Sequence, residues 1–210
     1  MTNVEKKLES LKRQSCELLA TTKKLCETDY IRDKKTFRFL AERYDILSEK
    51  HACCARELCI DSFAMKECEV YDASSEMLGI EIHKEGTSVV IDLPELLPGK
   101  KERETNYVGA PLIHRFEQIC QTEDLKIKGR VVICIVHVYD NEFKKTRCYD
   151  YDNLESKRII DIITQYVMVD DSPKFCDVYH TVEIGKTNKT KIIVMPKTEF
   201  ENFKNPCNFE

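Results

Sequence analysis

The chain has 210 residues, with 33 Lys and Arg against 37 Asp and Glu, a formal net charge of −4. Its 42% hydrophobic content can bury a sizeable core, and six Gly and six Pro exclude a collagen-like or disordered chain. The acidic balance excludes a strongly basic nucleic-acid binder, though not a local basic patch. No run approaches the roughly 18 apolar residues of a membrane helix, so no membrane partner is expected. The opening MTNVEKKLESLKRQ has no apolar h-region, so neither signal peptide nor anchor is expected and the location implied is cytoplasmic. Eleven cysteines, an odd number without an export route, should then stay reduced. The densest cluster, His51, Cys53, Cys54 and Cys59, matches no usual zinc spacing and reads as small thiols filling a helix interface.

From Val4 the chain reads as helix, with Val4, Leu8, Leu11, Ser15, Leu18, Thr22 and Leu25 in four-three spacing. Turn formers interrupt it around Thr28–Asp33. A second helix carries Phe37, Leu40, Ala41, Tyr44, Leu47, His51, Cys54 and Leu58 on one stripe. Two long helices joined by a short turn pack antiparallel, as a hairpin. A shorter helical piece covers Phe63–Tyr71. Residues 1–80 therefore read as a coiled-coil-like helical region able to self-associate or to recruit a protein partner.

Beyond residue 80 the period changes to two. Ser88–Leu93 reads as a strand closed by Pro94 and Pro98, followed by a basic loop and a helix over about Pro111–Gln121. Val131–Tyr139, a run of nine residues of β-branched and aromatic character that includes Cys134 and His137, reads as a central strand covered on both faces. A helix over Asn153–Tyr166 follows. Strands near Cys176–Ile184 and Thr190–Met195 flank Gly185-Lys-Thr-Asn188, a hairpin-like turn. The order β-α-β-α-β-β gives an α/β (α+β) fold with a mixed sheet over residues 86–197, and 198–210 form a loosely held tail.

One constellation carries chemistry. Asp150 and Asp152 are two apart, so on an extended chain their carboxylates project to one side. Beyond the helix that follows come Asp170 and Asp171, which a short return would bring back towards the first pair. Converging carboxylates need a cation, and oxygen ligands without a His or Cys pattern suit Mg²⁺ or Mn²⁺, ions that activate water against phosphodiesters. Lys157 shares the outer helix face with Asn153 and Asp161 and could steady a phosphate. The same residues also fit ordinary structural roles. Asp152 with Glu155 is a capping box, and Asp170-Asp171-Ser-Pro is a turn. His137, inside the confident strand, reads as a packed side chain.

The run Lys144–Asn153, a basic stretch and then D-x-D-N-L, followed by a lysine, a helix and a late Asp-Asp, resembles the RusA-type Holliday-junction resolvases, phage-borne endonucleases. Val90-Ile-Asp-Leu-Pro94 with Pro98 resembles that family's opening strand. The resemblance implies a homodimer that nicks branched DNA with Mg²⁺ or Mn²⁺. It would make Asp150, Asp152 and Asp171 the metal carboxylates and Lys157 the catalytic lysine, with Asp152 essential to the reaction. Lys144, Lys145, Arg147, Lys100, Lys101 and Arg103 would form a basic rim against DNA. The alternative keeps the fold without turnover: a binding module or adaptor working through its helical N-terminal half.

Overall fold

A computed structural model describes residues 2–97, 106–140, 151, 154 and 156–200. The chain divides into two compact units, Met1–Val70 with Glu102–Tyr107, and Tyr71–Lys101 with Val108–Glu210.

The first unit is built on two helices, α1 (Asn3–Glu27) and α2 (Lys34–Asp61). Thr2 opens α1 with a capping box, its side chain accepting from Glu5 N while Glu5 receives the Thr2 amide. The helices pair antiparallel: Asn3 meets Asp61, Lys7 meets Glu57 and Asp61 at 2.9 and 2.6 Å, and Ser15 meets His51 at 2.9 Å. The hairpin expected from the spacing is present, but its seam is rotated. Val4, Lys7, Ser10, Leu11, Gln14, Glu17, Leu18, Thr21, Leu25 and Thr28 are the shielded positions, whereas Leu8, Ser15 and Thr22 are exposed. Within it a heptad runs with Val or Leu at one seam position and Lys, Gln or Thr at the other, flanked by Ser10 and Glu17. Lys7 helps to turn this face inward, because its ammonium and its carbonyl, which accepts from Cys54 Sγ, are both engaged by α2.

The third helix, α3 (Glu67–Leu78), lies four to seven residues later than the spacing suggested. The second unit is a five-stranded sheet with helices against it. β1 (Glu81–Glu85) and β2 (Ser88–Leu93) form a two-residue hairpin through Gly86, at φ +63°, and Thr87. The sheet thus starts before residue 86, at a charged strand whose single buried side chain, Ile82, gave no alternating signal. Next come α4 (Asn106–Cys120), β3 (Val131–Asp140), α5 (Lys157–Val167), β4 (Cys176–Gly185), β5 (Lys189–Pro196) and the single turn α6 (Lys197–Phe200). The sheet order is β1-β2-β5-β3-β4, with only β3 and β4 parallel. The mixed-sheet α+β class expected from the sequence is the fold observed.

β3 is central and buried on both faces as its composition required. One face, with Ile133 and Ile135, packs with Val89 and Ile91 of β2, Ile192 and Val194 of β5, Leu112 and Phe116 of α4, and Ile159 and Ile163 of α5. The opposite face, with Val132, Cys134, Val136 and Val138, packs with Met195 and Tyr179. β4 and β5 are not a hairpin, contrary to the turn signal between them. Gly185–Asn188 instead passes over the end of β3, where Asn188 Oδ1 accepts from Asp140 N at 3.0 Å. A Cβ at Gly185 would meet Val138 Cγ1 at 2.6 Å, so glycine serves that crossing rather than a tight hairpin turn. The start of the expected tail is tied down as well: just after Lys197, whose N donates to Arg130 O, Glu199 accepts from Ser88.

Candidate functional site

Of the residues that the sequence joined into a metal centre, Lys157 and Asp171 are described. Asp150, Asp152, Lys144, Lys145, Arg147, Lys100, Lys101 and Arg103 lie outside the described residues. Lys157 is the exposed first residue of α5, which starts four residues later than expected, with Ser156 making no side-chain cap. Asp171 is exposed in the segment between α5 and β4. α5 is the crossover between two parallel strands, so it carries the chain from the C-terminal end of β3 to the N-terminal end of β4. Eleven helical residues span about 16 Å; Lys157 opens that span, and Asp171 follows its far end by four residues. Asp150 and Asp152, towards which the return was expected to bring Asp171, lie outside the described residues.

Asp170 does what a turn residue does. Its carboxylate accepts from Ser172 Oγ at 2.7 Å, and that bond holds it below the usual carboxylate range. Among the described residues no three His, Cys, Asp or Glu side chains are grouped to hold a metal ion. His51 and Cys54 are spent on α1, against Ser15 and the Lys7 carbonyl.

A different cluster was not expected as a unit. His137 of β3 and His180 of β4 lie on the sheet face that packs α5, with Nε2 of the first 3.1 Å from Nδ1 of the second and their rings 4° from parallel. Tyr151 stacks on both, at centroid distances of 5.5 and 4.9 Å. His137 is wholly buried, and its Nδ1 has no hydrogen-bond partner among the described residues. Burial first, and then the neighbouring His180, push its pKa down to about 4; burial lowers His180 too. His137 is therefore a neutral ring at physiological pH. If its Nε2–H donates to His180, its buried Nδ1 carries a lone pair rather than a stranded N–H, the cheaper arrangement. With no exposed surface, the His137 ring is packed within the sheet face, whereas His180 is half-buried and Tyr151 exposed.

An open depression of about 430 Å³ is lined by Cys120–Lys126, Gln165 and Tyr166. Lys126 would be its cation, but Nζ donates to the carbonyls of Thr164, Gln165 and Met168, closing the end of α5. The Cys120 thiol is pushed up by burial, the wrong direction for a nucleophile. Nothing lining it supplies an activated group.

The remaining distinctive surface is the turn joining α1 to α2. Asp29 organises it: its carbonyl accepts from Asp33 N at 2.8 Å, and its Oδ1 accepts from the amides of Ile31 and Arg32 at 2.9 and 3.1 Å. Asp33 then caps α2 through Thr36 N at 3.1 Å. This well-bonded turn holds Tyr30 and Ile31 at 64% and 65% exposure, with Tyr30 leaning on Phe37 at 6.1 Å between ring centroids. Phe39, in the first turns of α2, is 59% exposed. Residues 22–44 hold seven basic and four acidic side chains. The sequence signalled a turn here, but not that the turn would display apolar side chains.

The model of a family of unknown function, DUF6100, matches residues 1–204. The chain belongs to that family. No curated protein matches this DUF6100 chain. Among solved structures it is similar to the periplasmic domain of Helicobacter pylori MotB (residues 90–256), at 15% identity and a TM-score of 0.34, over 61% of this chain and 91% of that one. The resemblance to RusA-type resolvases rests on the residues that suggested it.

Proposed function

We propose that this DUF6100 protein is a non-catalytic adaptor that binds through the tip of its helical hairpin. One observation carries the reading: a turn fixed by four hydrogen bonds keeps two large apolar side chains in water. Scattered apolar residues on a surface need no explanation, but an ordered protruding pair, with Tyr30 leaning on a second aromatic, Phe37, is what a contact surface requires. The depression and the His137 stack supply no competing catalytic set. A cytoplasmic setting suits the nine described cysteines, all of them free thiols. A photo-reactive amino acid placed at Ile31 in the cell should give a discrete adduct that the same probe at the exposed Lys12 does not give. Identical background at both positions would remove the reading.

A second reading keeps the resolvase chemistry. Lys157 stands exposed on the first turn of α5 and makes no ion pair among the described residues, as a lysine waiting for a phosphate would. On this reading a homodimer cuts branched DNA with Mg²⁺ or Mn²⁺ held by Asp150, Asp152 and Asp171. A synthetic four-way junction incubated with the full chain and Mg²⁺ separates the two. The adaptor leaves it uncut, whereas cleavage abolished by Asp152→Asn would establish the enzyme.

A further inference from the structure

The tip's chemistry is layered along the hairpin axis, and the layering selects a partner. Tyr30 and Ile31 sit in the turn itself, at the extreme end. One turn behind them stand Lys24 near the end of α1 and Lys34 and Lys35 at the start of α2, all exposed, with Arg43 further along. The four acidic side chains of this region are already engaged. Glu27 lies 4.0 Å from Lys23, Asp29 holds the turn and meets Arg32 at 3.5 Å, Asp33 caps α2, and Glu42 binds Arg38 at 2.6 Å. Lys24, Lys34, Lys35 and Arg43 make no ion pair among the described residues, although Lys35 feels the Asp33 carboxylate. A nucleic acid would want the cations outermost, facing phosphate, and has little use for an isoleucine at the front. A bilayer presents its layers in the opposite sense, with acyl chains beneath the anionic headgroups, and so matches an apolar point with a cationic collar.

Resting on the adaptor reading of this tip, we propose that its partner is an anionic lipid surface, which Tyr30 and Ile31 enter while Lys24, Lys34 and Lys35 hold the headgroups. Neither signal suffices alone: a small apolar insertion is marginal and reversible, and the basic collar supplies the second contact. Each lysine near such a surface strengthens binding about fivefold at moderate salt.

The chain contains no tryptophan, so Tyr30→Trp gives the full-length protein a single reporter at the tip. Its emission should shift to the blue with phosphatidylcholine vesicles containing phosphatidylserine and stay unchanged with phosphatidylcholine alone. Adding Ile31→Asp should abolish the shift, and Lys34→Glu with Lys35→Glu should weaken partitioning by at least tenfold, with far-UV circular dichroism unaltered in each. Ile31→Trp serves as the reporter if Tyr30→Trp lowers helicity. Unchanged emission at saturating anionic lipid overturns the proposal, and so does an equal shift on both vesicle types. The adaptor reading fails separately, at the photo-adduct: a protein captured at position 31 by a chain that ignores vesicles retains the contact surface and replaces the lipid with an acidic protein.

Discussion

His137 is a ring with no exposed surface and one nitrogen without a partner among the described residues. Its folded-state pKa of about 4 lies below the ordinary 6.5, so between these values the unfolded chain binds a proton that the folded chain refuses. Its contribution is complete above pH 6.5 and is lost progressively as pH falls towards 4, by an amount on the order of 3 kcal/mol. Urea denaturation from pH 7.5 to pH 4 should show that decline, and His137→Phe should flatten it. A decline of the same size in the variant would assign it elsewhere. That His137 is packed could be read from its place in an apolar run. That it meets His180 could not, because the pairing depends on the parallel register of β3 and β4. Phe63 is a second special residue, at φ +56° after α2 and 94% exposed. Gly79 takes the same backbone conformation after α3 without a Cβ penalty. Phe63→Gly should raise stability by about 1 kcal/mol in thermal or chemical unfolding.

Among the elements, the hairpin shows where periodicity informs and where it misleads. Helix existence was plain from the four-three spacing, but that spacing fitted two neighbouring faces of α1, and only the partners of Lys7 on α2 decide between them. The chosen seam contains Gln14, whose Oε1 is buried without a partner among the described residues. Gln14→Leu should therefore stabilise the full chain by about 1 to 2 kcal/mol, seen as a higher urea midpoint; destabilisation would show that Gln14 is needed for register. The β4–β5 connection teaches the same lesson for strands. Gly185-Lys-Thr-Asn188 is turn chemistry, yet local sequence does not say whether a turn joins neighbours or steps over a third strand. A helix between parallel strands likewise delivers the chain to the far end of the sheet, which local spacing does not announce.

At the scale of the whole molecule, the two units divide the labour. The sheet unit spends its polar groups on its own architecture, with Lys126 closing α5, Asp177 holding Arg130 at 2.6 Å, and Lys189 meeting Asp92 at 3.1 Å. The hairpin unit leaves apolar and cationic groups at its tip uncommitted. The order of the elements carried the class of fold, and among the described residues no helix is long and apolar enough to cross a membrane. That order could not reveal the tip, because Tyr30 and Ile31 are unremarkable in sequence and acquire meaning only from a turn that holds them outward. Hydroxyl-radical footprinting of the chain inside the cell and after purification measures that directly. Tyr30 and Ile31 should be labelled several-fold less in the cell while Phe63 is labelled equally in both states; equal labelling of all three would contradict the account.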